Sequence, residues 1–349
     1  MQGVGHIQGL VAHKRARNRL ILIGLSASVV VTVVLATTIG TAEIAMVAAI
    51  KAVLWRMFHP ATALSTTDAI ITSVRLPRAV MGILVGSGLA TAGCALQGLF
   101  RNPMASPWVL GVSTGAAFGA SLAMLLPVSL LGLEVPAFAF ALAVLTLFGV
   151  YHLSAVHGRM AVETVLLVGI SLSFFFSALV AVMQYAAGDE LRAITVWLMG
   201  TLSQVTWKHV WLILPIMVAG IVAIWSFSRQ LNILSLDEST ALHLGVETEK
   251  VKRRVMVSAA VVTAVAVSFT GPIGFVGLIV PHMARILVGP DHRLLLPVSC
   301  LAGGVFLVWV DTLARASMVE IPVGIITALL GSPFFIYLLR RTHTARCCR

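Results

Sequence analysis

Long apolar runs separated by short polar or basic breaks dominate this chain. A helix rising 1.5 Å per residue needs about 20 apolar residues to cross the hydrocarbon core of a bilayer. Ten runs of roughly that length can be drawn, at 20–40, 76–99, 107–127, 135–156, 163–186, 207–228, 254–271, 273–288, 294–315 and 322–340. The seventh and eighth are the least distinct. Gly271-Pro272 divides an otherwise continuous apolar stretch and marks a turn, and the eighth run is short. The pattern predicts an all-α integral membrane protein with about ten transmembrane helices over residues 20–340, between a basic N-terminal tail (1–19) and a short C-terminal tail (341–349).

Composition excludes the soluble alternatives. Of 349 residues, 59% are hydrophobic and 11% charged, and the mean hydropathy is +1.00. A water-soluble chain carries roughly 25% charged residues. Lipid covers an apolar surface that water cannot. The net charge of +11 is spread as punctuation between apolar runs, not gathered into the continuous stripe a nucleic acid requires. Cys94 and Cys300 lie inside apolar runs and Cys347 and Cys348 in the basic tail, with neither disulfide-framework nor zinc spacing. The first run, Leu20 to Ile39, follows His13, Lys14, Arg15, Arg17 and Arg19. It is longer than the core of a signal peptide and reads as a first membrane helix.

Basic residues orient the spans. With the N-terminus in the cytosol and sides alternating, Lys51, Arg56, Arg75, Arg78, Arg192, Lys208 and Arg315 fall outside. The other 17 of the 24 basic residues fall inside. This split predicts an even number of spans and both termini in the cytosol of a bacterial or archaeal cell membrane. Residues 43–58 are apolar with interspersed charges and suit an interfacial helix. Residues 188–206, with Trp197, suit a short helix on the outer side. The longest polar stretch, 229–253, is cytosolic. It contains no GxxxxGK[ST] loop to hold nucleotide and is too short for an ATPase domain, so any ATP-driven role requires a separate chain.

Several segments carry candidate chemistry. Arg75 and Arg78, in Arg-Leu-Pro-Arg at the outer start of the second span, run against the charge bias. They read either as anchors that snorkel or as a docking patch for carboxylates, and Arg315 can join them. Asp311 falls inside a span and lies one turn before Arg315, giving either a structural ion pair or a proton relay. The glycines of the second span (82, 86, 88, 93 and 98) allow close helix contact. Asn102, Pro103, Met104 and Pro107 form a rigid inner corner. In Leu231–Val246, Ser235 with Glu238 fits a capping box. Asp237 and Glu238 occupy a first turn, Leu234, Ala241 and Leu242 an apolar side, and Gly245 a helix end. This helix either covers the spans or docks a partner. Gly and Pro also break the run at 271–285, as is tolerated where protein or water covers the freed backbone groups.

Taken in order, RLPR and its glycine-rich helix, LFRNPMASPWVLGVSTGA, LRAITVWLMGTLSQVTW, LNILSLDESTALHLGV, TGPIGFVGLIVPHMARILVGPDHRLLLP and DTLARASMVEIPVGIITALLGSPFFIYLL resemble the FecCD family. These are membrane subunits of vitamin B12, haem and ferric-siderophore ABC importers. The match runs over roughly 70–340 and leaves out both tails. The resemblance implies a type II ABC importer permease with ten spans. It implies a homodimer with the pathway on the twofold axis, lined mainly by spans five and ten. Two copies of a separate cytosolic ATPase would hold ATP and Mg, and this chain would bind no cofactor and perform no catalysis itself. An external binding protein would dock on Arg75, Arg78 and Arg315. A cytosolic gate would fall at Asn102 and Met104 (a Leu in the vitamin B12 permease) and at Val162 and Glu163. ATPase coupling would fall at Ser235, Leu236, Asp237, Glu238, Ala241, Leu244 and Gly245. The cargo would be a metal chelate: an iron siderophore, haem or a corrinoid. From a different class, an ion-coupled secondary transporter needs ionisable groups near the midplane, for which Asp311 is the candidate.

Overall fold

The structure is a computed structural model describing residues 2–40, 45–47, 49–51, 65–156, 159–160, 162–316 and 320–347. Most of the interfacial segment expected at 43–58 lies outside the described residues. The ten principal helices are α1 (Gln2–Thr38), α2 (Leu76–Leu99), α3 (Val112–Leu125), α4 (Glu134–Ser154), α5 (Val162–Ala186), α6 (Trp207–Ser226), α7 (Thr248–Thr270), α8 (Val276–Val288), α9 (His292–Ala316) and α10 (Val323–Cys347). Each of the ten apolar runs meets one of them. Seven are long and apolar enough to cross a bilayer; α3, α8 and the apolar part of α10 (Val323–Tyr337) are shorter.

Two of the expected spans are built differently. The third run opens with a 3-10 turn, Pro107–Leu110, and α3 starts only after Gly111, because Pro107 holds Ser106 extended and Gly111, with a left-handed φ of 73°, breaks the helix between them. The second continues backwards through a π-helical turn, Ile70–Arg75, into Thr66–Ala69. A two-residue antiparallel pair, β1 (Ala155–Val156) and β2 (Arg159–Met160), links α4 to α5.

Helix α2 is the hub, touching α1, α6, α7, α8 and α9. Lipid tails are as apolar as leucine, so membrane helices associate through close packing and interhelical hydrogen bonds. In α2 both are present. A Cβ on Gly93 would sit 1.8 Å from the Gly277 carbonyl oxygen, and one on Gly86 would sit 2.2 Å from that of Gly303, so α8 and α9 lie backbone to backbone on α2. Ser87 Oγ donates to the Cys300 carbonyl (2.8 Å), and Gln97 Nε2 to that of Leu278 (3.1 Å). The α2 region is 83% buried in its most apolar window, against 22% for α5. Among the described residues, helix α5 packs mainly on the α3–α4 side, and α10 touches α8 and α9. Both keep large apolar side chains exposed, among them Phe174 and Tyr185 on α5 and Leu329 and Tyr337 on α10.

Candidate transport site

At one end of α9 lies a buried ionic cluster. Asp311 is 1% exposed. Arg78 Nε lies 3.0 Å from each of its carboxylate oxygens, and Arg78 Nη2 lies 2.8 Å from Oδ1. Arg315 Nε sits 3.1 Å from Asp311 Oδ2, close enough for charge attraction but not aimed along a hydrogen bond. The outer nitrogen of Arg78, Nη1, pairs with Glu320. Arg75 and Arg315 turn to the end of α1: Arg75 Nη1 donates to the carbonyls of Thr37 and Thr38 (2.9 Å each), and Arg315 Nη2 to that of Ala36 (3.1 Å). These carbonyls belong to the last turn of a helix, which lacks internal partners and carries partial negative charge. The π-helical turn brings Arg75 to them. All three arginines are buried.

Between α8 and α10 opens a groove of about 820 Å³. Its floor is the broken link after α7, with Pro272, Gly274 and Phe275. Its wall is α10 from Gly324 to Pro333, and Trp108 closes one end. Phe275 caps α8 with a left-handed φ of 66°, which costs a non-glycine residue about 1–2 kcal/mol. Its ring lies where a Cβ on Gly331 would be, 2.3 Å from Phe275 Cγ, so this strained residue wedges α8 against α10. Strain of that kind concentrates at functional sites.

The third region is the polar stretch between α6 and α7. It forms two short helices, Ser228–Leu234 and Glu238–His243. Ser235 is not the N-cap expected from the capping box. Its N–H still bonds to the Leu231 carbonyl (3.0 Å) and its backbone is helical, so it closes the first helix. Asp237 is the N-cap. It is extended (φ −166°, ψ 151°), and its side chain accepts from Ser239 N at 3.2 Å. Glu238 is therefore the first helical residue, not the third. Gly245 (φ 76°) ends this helix: Val246 N donates to the Ala241 carbonyl and Gly245 N to that of Leu242, both at 3.0 Å, the paired bonds of a Schellman stop. Leu234 and Ala241 are buried. Leu242 is not part of that inner side: Leu236, Leu242 and Leu244 are 70%, 57% and 61% exposed.

This helix touches the inner corner. Arg101 Nη1 lies 3.5 Å from Asp237 Oδ1, and Asn102 Oδ1 accepts from Met104 N at 2.9 Å, leaving Met104 exposed. Val162 is half-buried and Glu163 exposed at the start of α5. Asn232, in the helix before, joins the start of α9. Its Nδ2 donates to Asp291 Oδ1 (2.6 Å), while its Oδ1 accepts from His292 N (2.8 Å) and lies 2.8 Å from His292 Nδ1. A carboxylate only accepts, which fixes both the amide orientation and a proton on Nδ1. Burial pushes the Asp291 carboxyl up, but the Asn232 hydrogen bond, Arg293 N and the nearby Arg293 charge outweigh it and hold it below the ordinary value of 3.8.

The model of the FecCD transport family matches residues 28–341. The chain belongs to that family. It is 49% identical over 275 residues to the cobalamin import system permease protein BtuC of Halobacterium salinarum, covering 79% of this chain and 74% of the relative. It is 39% identical over 331 residues to the molybdate import system permease protein MolB of Haemophilus influenzae, covering 92% and 96%. A solved inward-facing structure of a metal-chelate type ABC transporter superposes with a TM-score of 0.80 at 34% identity, covering 93% of this chain and 99% of that one. As a FecCD permease this is a multi-pass membrane protein of the ABC import class.

Sequence reasoning about this FecCD permease did not single out Glu320, Arg101, Asn232, Asp291 or Phe275. Each owes its role to a partner distant in sequence, or to a backbone angle that no local pattern reports. The one local signal was weak: Asp291 directly precedes α9, where capping residues collect.

Proposed function

We propose that this chain is the membrane-spanning subunit of an ATP-driven importer for a metal chelate, working as a homodimer with both termini in the cytosol. The observation that carries the reading is the groove of about 820 Å³ floored by non-helical backbone. Free backbone groups at membrane depth are tolerated where they are covered by protein or line a water-filled path. Two such grooves facing each other across a twofold axis give a path wide enough for a large chelate. Loose, largely apolar contacts let the cargo leave.

The other two regions fit the partners such an importer needs. The exposed leucines on and beside helix Glu238–His243 (Leu236, Leu242 and Leu244) suit a cleft of a separate ATPase, and ATP-driven closure there would shift the inward/outward equilibrium. Asn102 and Met104, joined to that helix through Arg101–Asp237, stand where an inner gate would feel the shift, with Val162 and Glu163 as its second side. The arginine cluster around Asp311 forms a rim for an acidic external binding protein. An ion-coupled mechanism loses support from the same cluster, because Asp311, its candidate group, is committed to Arg78 and Arg315 within the chain.

Cobalamin is the first cargo to test, from the name of the Halobacterium relative. The protein is reconstituted in liposomes with its ATPase and binding protein, and labelled cobalamin uptake is followed. Uptake that needs ATP and survives collapse of the proton gradient is expected. Uptake that follows the gradient and ignores ATP would overturn the reading. ATP-dependent uptake of a ferric siderophore in place of cobalamin would change the cargo alone.

A further inference from the structure

The two carboxylates of the outer cluster are held in different ways. Asp311 is buried and bracketed by Arg78 and Arg315. Glu320 is 48% exposed in its side chain and meets a single guanidinium nitrogen, Nη1 of Arg78. It sits on the short connection from α9 to α10, where Ile321 N donates to the Ala314 carbonyl at 3.3 Å. Among the described residues the cluster holds three arginines and two carboxylates, one fixed and one at the surface. Arg78 is buried, and its Nη1 is taken by Glu320.

We propose that Glu320 is a built-in competitor of the docking partner: it occupies Arg78 Nη1 while the rim is free, and a carboxylate of the external binding protein takes its place on docking. This rests on the reading of Arg75, Arg78 and Arg315 as the docking rim. Displacement falls on Glu320 because its contact is single, water-accessible and screened, whereas removing Asp311 would leave buried arginine charge without compensation. With Glu320 swung away, the excess positive charge of the cluster faces the incoming carboxylate. Asp311 holds Nε and Nη2 of Arg78 throughout, so the exchange of one anion for another concerns Nη1 alone.

The test uses the nucleotide-free transporter in lipid nanodiscs and its cognate, cargo-free binding protein. Affinity is measured for wild type, Glu320→Gln and Glu320→Asp at several salt concentrations. Glu320→Gln is expected to tighten docking about threefold, the scale of a half-exposed ion pair. Glu320→Asp should return it towards wild type, and salt should weaken docking in all three. If docking is salt-sensitive but Glu320→Gln leaves it unchanged, the competitor role is overturned and the arginine rim stands. Weaker docking in Glu320→Gln would make Glu320 itself a contact and also overturn the role. Salt-insensitive docking, unchanged in Glu320→Gln, would overturn both the role and the rim. Unaltered thermal stability of Glu320→Gln serves as the folding control.

Discussion

The two ends of α9 handle polar groups in opposite ways. At its last turns, Asp311, Arg78, Arg315 and Arg75 are buried and answered within the chain, by each other or by the final carbonyls of α1. Near its first turn, about 28 Å away for a helix rising 1.5 Å per residue, the helix Ser228–Leu234 packs and leads into Leu236–Leu244, which presents three exposed leucines. The ion pair from that segment to the inner corner, Arg101–Asp237, joins two half-exposed side chains at 3.5 Å. One end is a closed knot fastening α1, α2 and α9. The other is a surface with unspent apolar area. A buried ion pair contributes little net stability while intact, yet breaking it is costly, because each remaining charge stays in a poor solvent. Exposed leucines behave the other way: removing them costs the isolated protein almost nothing and matters only when a partner covers them. Mutations at the two ends should therefore separate the stability of the chain from its association with the ATPase.

The largest effect belongs to the knot. Asp311→Asn keeps the shape but leaves Arg315 without its carboxylate and Arg78 with only Glu320. A loss of about 3–5 kcal/mol of stability is expected, seen as a sharply lowered unfolding midpoint of the detergent-solubilised protein. A variant as stable as wild type would show that the cluster does not hold the helices together.

The intermediate effect belongs to the open surface. Replacing Leu242 and Leu244 together by Ala should leave the unfolding midpoint in place and weaken association with the ATPase about tenfold, as expected when partly buried leucines lose their apolar area at an interface. Equal association, measured by titration of the purified ATPase, would move the docking surface elsewhere. A drop in stability instead would mean that these side chains pack within the chain.

The comparison also explains what could be read in advance. Ten apolar runs each met a helix, seven of them long enough to cross because the bilayer fixes length and apolarity together, while Gly and Pro shortened α3 and α8. Glycines at 86 and 93 announced close packing because no other side chain permits it. Gly245 marked a helix end through its left-handed φ. The Ser235 capping pattern misled because a second helix was still running through that residue. Two short helices meet at Leu236, and a window of four residues does not show which one owns the serine. The knot was half legible: Asp311 and Arg315 lie one turn apart, whereas the bond from Arg78 to Asp311 spans 233 positions. Glu320 and Asn232 were invisible for the same reason, since their partners are brought by the fold.

The smallest effect sharpens the contrast at the inner end, which holds a modest knot of its own. Asn232 ties the helix Ser228–Leu234 to Asp291 and His292 at the start of α9. Asp291 is held below its ordinary pKa of 3.8, its burial outweighed by the Asn232 hydrogen bond and the neighbouring Arg293. A carboxyl with a depressed folded value stabilises the protein above its unfolded pKa, and that contribution fades as pH falls through the folded value. The stability difference between wild type and Asp291→Asn should thus be constant from neutral pH down to about pH 5, then shrink as pH drops below 3.8 towards the folded value. Unfolding midpoints of the two proteins at matched pH isolate the term, since other titrating groups are common to both. A gap that stays constant down to the lowest pH measured would mean that Asp291 titrates alike in the folded and unfolded chain. Asn232 would then hold α9 through His292 alone.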